Sequence, residues 1–168
     1  MVNETYTKVT EWGHIDSHWF GQYKEVQEYE PRCVKVLSID ESANTIEMED
    51  LSDYQYNAFG KRSGDYSLHS ARDEYHSCVN HEMVARNFFE LMANLHAYGT
   101  KTFFYHLDLH AGNILIREDG DIKLIDPDAF QKYSEKMKHK HTLKYKTSKL
   151  FTVFTDLYYR NIGKLNDT

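Results

Sequence analysis

The chain has 168 residues, 40% of them hydrophobic and 27% charged, enough for one domain with a real core but short for an enzyme of two full lobes. No run of about 18 apolar residues occurs, so no segment reads as membrane-spanning, and residues 1–10 lack the basic start and apolar stretch of a signal peptide. The net charge of −6 is unevenly divided: residues 1–130 hold 11 Lys/Arg against 23 Asp/Glu, residues 131–168 hold 9 against 3, and the acidic body argues against generic nucleic-acid binding by that part.

Taken in chain order, residues 19–29 predict a helix that stops just before Pro31. Residues 33–39, with apolar Val34, Val36 and Leu37, predict a strand. A turn over residues 40–44 and a second strand over 45–48 complete a hairpin. Residues 54–77 are polar, contain Gly60 and Gly64, and read as loop with short helix; Tyr54, Tyr56 and Tyr66 read as ordinary loop tyrosines. Residues 82–98 give the clearest helix, with Val84, Phe88, Leu91, Leu95 and Tyr98 on one face. Asn80 is its expected cap and Gly99 its expected left-handed end. After residues 103–106 comes a second hairpin, 113–117 and 121–126, turned by Glu118-Asp-Gly120. Residues 1–130 thus form one unit and 131–168 a basic helical segment. Lys132, Lys136, Lys138, Lys140, Lys144, Lys146 and Lys149 make its positive run, and residues 150–162 a final helix. The run reads as a solvated face or a dock for an acidic partner or nucleic acid. Cys33 and Cys78 have no metal-type spacing and read as reduced thiols, which implies a cytoplasmic location.

The chemistry concentrates in His106-Leu-Asp108-Leu-His-Ala-Gly-Asn113-Ile-Leu-Ile and Asp119-Gly-Asp-Ile-Lys-Leu-Ile-Asp126-Pro-Asp128. Phosphoryl transfer asks the protein for a carboxylate to orient the acceptor and oxygen ligands to hold magnesium against the phosphates. The hairpin returns Asp126 to the end where Asn113 emerges, so Asp108, Asn113 and Asp126 are expected on one rim.

This passage resembles the protein-kinase-like superfamily, with its His-x-Asp-x-x-x-x-Asn loop followed by a hairpin and a metal-binding Asp. The His-Ala-Gly after Asp108 is similar to aminoglycoside phosphotransferases and RIO-type kinases. Asp126-Pro127 with Phe130 looks like the early protein kinases of T7-like bacteriophages. The resemblance implies an α+β, minimal protein-kinase-like fold with a reduced N-lobe and a truncated C-lobe. It implies Asp108 as the catalytic aspartate, Asn113 and Asp126 as Mg²⁺ and ATP ligands, and His106 as a brace of the loop. It also implies a hinge at Met48-Glu49-Asp-Leu51 that bonds adenine, a regulatory helix over residues 19–29 with Glu25 or Glu28 facing inward, and a host protein as substrate. Departures accompany the match. Gly13 and Gly21 are too isolated to form a phosphate-covering loop, and no lysine-bearing strand is evident before helix 19–29. Lys35 is the candidate phosphate lysine, although that leaves no room for a helix before the next strand. Asp128 reads as a further metal ligand or a surface carboxylate. Two functions follow: a kinase transferring the γ-phosphoryl of Mg-ATP to a hydroxyl, or a degenerate pseudokinase that works by occupying a partner. A rival reading takes His106, Asp108 and His110 as a zinc or iron site.

Overall fold

The computed structural model describes residues 5–12, 15–57, 60–62 and 78–132. The expected loop or helix over 63–77, Tyr66, Gly13, Gly64, the Lys-rich run beyond Lys132 and the helix over 150–162 lie outside the described residues. The fold mixes helix and sheet.

A strand that the sequence reading missed comes first. β1 (Thr5–Val9) pairs antiparallel with β3 (Thr45–Glu49), and β3 with β2 (Val36–Asp40), in the order β1-β3-β2. The hairpin β2–β3 is therefore as expected, but its first strand starts later. Val34 and Val36 are buried, and a bulge between Val36 and Ser38 breaks the alternation and leaves Leu37 exposed. Cys33 instead bridges Leu124, with the Val34 N–H donating to Leu124 O and the Leu124 N–H to Arg32 O. That segment sews the first sheet to the second. The hairpin turn is closed by Asp40, whose Oδ1 accepts from the N–H groups of Ser42 and Ala43.

α1 (Ser17–Tyr29) is capped by Asp16, which accepts from the Trp19 N–H at 2.8 Å. It turns Trp19, Tyr23 and Val26 inward. Glu25 and Glu28 are exposed, contrary to expectation. The apolar residues at three- and four-residue steps claim the buried face, and the carboxylates stay with water.

α2 (His81–Thr102) buries Val84, Phe88, Leu91, Leu95 and Tyr98 as expected, and Asn80 caps it by accepting from the Met83 N–H. Its end differs. The helix runs past Gly99, and the left-handed residue is Phe103, φ 60°, whose N–H donates to Gly99 O. Gly99 serves a close approach instead: a Cβ there would lie 2.1 Å from Tyr105 Cε1. The glycine lets the returning strand cross the helix at contact distance.

A second sheet has the order β5 (Gly60–Lys61), β4 (Tyr56–Asn57), β7 (Ile114–Ile116), β8 (Ile122–Leu124). Tyr54 and Tyr56 are buried rather than loop-exposed, and the Tyr54 hydroxyl donates to Asp121 Oδ2 at 2.5 Å. The β7–β8 turn needs Gly120 at φ +90°, where a Cβ would also meet Met83 Cβ at 2.5 Å and Asn80 O at 2.7 Å. Finally β6 (Phe104–His106) pairs with β9 (Phe130–Lys132), with His106 opposite Phe130. Phe130, 1% exposed, is the hub between α1 and β6: Tyr23 and His106 meet its ring edge-on and Phe104 stacks at 5.6 Å. Trp19 Nε1 donates to the Phe130 carbonyl at 2.8 Å.

Candidate nucleotide site

The site forms where the loop after β6, the exit of β8 and the strand β1 meet. β6 ends at His106, which is buried and locked from both ring nitrogens. Nε2 lies 2.9 Å from Ile125 O, and Nδ1 accepts the Asp108 N–H at 3.2 Å. A carbonyl only accepts, so Nε2 carries the proton and the ring is neutral. One imidazole therefore ties the residue before Asp126 to Asp108, as the expected brace.

Burial is the main cause that lowers the His106 pKa below the ordinary 6.5; the bond to Ile125 and the charges of Asp126, Asp108 and Asp128 oppose it without prevailing. A depressed histidine gives stability that is whole above the unfolded value and is lost as pH falls below it, because only the unfolded chain binds the proton readily. Unfolding free energy should thus decline as pH drops below about 6.5, by up to ~1.4 kcal/mol per unit for one proton. Denaturant titrations between pH 7.5 and 5 should show that decline flattened in His106→Asn. An equal slope in both proteins would remove His106 as its source.

Beyond Asp108, His110 opens a short 3₁₀ turn (Ala111–Asn113), its Nδ1 accepting the Gly112 N–H at 3.1 Å. Its Nε2 lies 3.6 Å from Asp108 Oδ2. Asn113 is buried, and its Nδ2 donates to Asp108 O at 2.9 Å and approaches Asp108 Oδ2 at 3.4 Å. That leaves the Asn113 Oδ1 lone pairs outside these bonds. The Asn113 carbonyl accepts the Ile125 N–H at 2.9 Å. Asp108 and Asn113 are thereby bonded directly, and Asn113 is bonded to Ile125, the residue before Asp126.

Asp126 adopts the left-handed conformation, φ 57°, and leads into the 3₁₀ turn Pro127–Ala129. Its Oδ1 accepts from Lys8 Nζ at 2.8 Å, and Asp128 Oδ1 accepts from the same ammonium at 3.0 Å. Burial alone would lower the Lys8 pKa, but the bonds to Asp126 and Asp128 outweigh it and raise the value, so the ammonium persists at neutral pH. The lysine at the site is Lys8 and not Lys35. Because β3 separates β1 from β2, Lys35 stands across the sheet, exposed, with its N–H donating to Glu49 Oε1. Lys8 escaped notice because β1 is exposed on most positions and shows no core pattern. Its Thr-Tyr-Thr-Lys-Val run of β-formers was the available signal.

Two more expected residues have other partners. Glu49 gives its N–H to Lys35 O and its carboxylate to the Lys35 N–H and Lys123 Nζ. Asp128 is fully buried, its Oδ1 on Lys8 and its Oδ2 on the Glu11 N–H at 3.0 Å. It is neither a surface carboxylate nor placed at the rim. The rival zinc or iron reading fails on the same ground, since His106 and His110 bond backbone, and the described residues contain no cluster of three or more His, Cys, Asp or Glu fit to hold a metal.

The donor chemistry nevertheless fits a hard cation. Asp126 at the rim offers a carboxylate oxygen and Asn113 an amide oxygen, and two carboxylates, Asp126 and Asp128, share the one Lys8 ammonium. A site with that excess of negative charge takes a triphosphate only with a divalent cation to offset it.

Among the described residues no helix is long and apolar enough to cross a membrane. No curated protein matches the chain. A comparison with protein families matches residues 46–155 to the ABC1 atypical kinase-like domain. The match begins in β3 and takes in α2, the loop after β6 and the β7–β8 hairpin, leaving β1 with Lys8 and α1 outside it. With well over half of its length covered, the chain belongs to the family of ABC1 atypical kinase-like domains.

Proposed function

We propose that the protein binds Mg-ATP and moves its γ-phosphoryl group to a hydroxyl on a protein substrate. The observation that carries this reading is the Lys8–Asp126 ion pair, tied through His106 to Asp108 and through the Asn113 carbonyl to the same turn. Asp108 orients the acceptor hydroxyl and takes up its proton, held for that task by the Asn113 amide. Lys8 contacts the phosphate oxygens as a point charge. Asn113 and Asp126 are the residues that would hold Mg²⁺, which when bound would supply positive charge against the phosphates. The hinge at residues 48–51 meets the base. The acceptor is a host protein if the chain is phage-encoded, as the resemblance to phage kinases implies.

Incubation with Mg²⁺ and γ-labelled ATP tests the proposal. Wild type should transfer label, Asp108→Ala should lower transfer by about 10²–10⁴-fold, and Asp108→Ala should still bind Mg-ATP. Asp126→Ala should lose both transfer and the thermal stabilisation by Mg-ATP, which for a nucleotide at 100 times its Kd is about 2.7 kcal/mol. Neither label transfer nor a nucleotide-dependent melting shift in wild type would end the enzyme reading. A second reading, a pseudokinase acting by binding a partner, draws on the same ion pair, because Asp126 and Asp128 both engage the Lys8 ammonium. Full biological activity of both variants would favour it.

A further inference from the structure

We infer that Asp128 is the residue that positions Lys8 for the nucleotide phosphates, in place of a carboxylate on the helix that follows the lysine strand. This rests on the Mg-ATP reading above. An ammonium on a flexible four-carbon stem points nowhere in particular until a partner fixes it. In kinases that partner is a glutamate of the regulatory helix. Here α1 presents Trp19, Tyr23 and Val26 to the interior. Glu25 is exposed and accepts from the Tyr98 hydroxyl at 3.1 Å, and Glu28 is exposed as well. The helix thus has no acid directed at Lys8.

Asp128 meets each requirement. Its side chain is wholly buried, so the pair with Lys8 is shielded from water and salt. Both carboxylate oxygens are engaged, Oδ1 by Lys8 and Oδ2 by the Glu11 N–H, so the acid grips the lysine and also the chain leaving β1. Its own backbone is held in turn: Pro127 restricts the turn, and Gln131 Nε2 donates to the Asp128 carbonyl at 2.9 Å. Asp126 differs. It is more than a quarter exposed and sits at the rim with an oxygen that a cation can take. Asp128 keeps Lys8 in place whether or not Asp126 is engaged elsewhere. Lysine and metal-binding acid are consequently registered to each other by one short turn, independent of how α1 packs.

Mg-ATP affinity, measured by calorimetry on the full chain with melting temperature followed alongside, tests the assignment. Asp128→Asn and Lys8→Met should each weaken binding about tenfold, and the double variant should bind no more weakly than Lys8→Met alone, because coupled residues do not add. Glu25→Gln and Glu28→Gln should leave affinity unchanged. Should Asp128→Asn fail to fold, the double variant, whose buried pair is neutral, supplies the comparison with Lys8→Met. Unchanged affinity in Asp128→Asn, additive losses in the double variant, or a loss in Glu25→Gln or Glu28→Gln would each overturn the assignment while leaving the Mg-ATP reading intact. A wild type that does not bind Mg-ATP would overturn both.

Discussion

Phe130→Ala should lower the unfolding free energy by about 3–5 kcal/mol, the range for a large aromatic removed from a packed core. Its ring is enclosed by Tyr23 of α1 and by Phe104 and His106 of β6. Those neighbours sit on rigid elements and cannot close the void. The Trp19 bond goes to the Phe130 backbone and survives the substitution. The effect should also reach the site. Without the ring against it, His106 loses the packing that orients it between Ile125 and Asp108, and under the proposed function phosphoryl transfer should fall more than in Phe130→Leu. That milder variant should cost less than about 1.5 kcal/mol if the core repacks around it. Denaturant unfolding of the three proteins decides the point. A loss below 1 kcal/mol in Phe130→Ala would show that Phe130 is not the hub.

The second large effect lies in the connection between α1 and β2. Glu30 is fully buried at the end of α1 and collects the Arg32 guanidinium, the Arg32 N–H and the Asn94 amide. Arg32 in turn reaches Asn87 and Glu90 of α2. The group binds the α1–β2 connection to α2 and lines an open cleft of about 410 Å³ with Asp121 and Lys123. Glu30→Ala strands buried donors, and breaking a buried pair costs about 3–5 kcal/mol. Arg32 is one-fifth exposed and keeps its bonds to α2, which argues for the lower end, about 3 kcal/mol. Replacing both partners, Glu30→Leu with Arg32→Met, should be markedly less damaging than Glu30→Ala alone, because no buried charge is left uncompensated. If the double variant is the less stable of the two, the network contributes net stability and the desolvation argument fails.

The amino-acid sequence by itself determined the parts whose information is local. The face of α2 follows from Val84, Phe88, Leu91, Leu95 and Tyr98 at helical spacing, its start from Asn80, and the β7–β8 turn from Gly120. The pairing of the two strands that follow Asn113 and precede Asp126 was legible because a short turn joins them. Only the tertiary structure decided the rest. Gly99 looked like a helix end because a glycine permits one, yet Tyr105, arriving from the next strand, is what requires it. Lys8 and Asp128 stand 120 positions apart and belong to elements that meet only once the first sheet lies against the turn after β8. No periodicity encodes such a pair: a charge is neutralised by whatever the fold brings within about 3 Å, and that distance is set by packing rather than by neighbours in the chain.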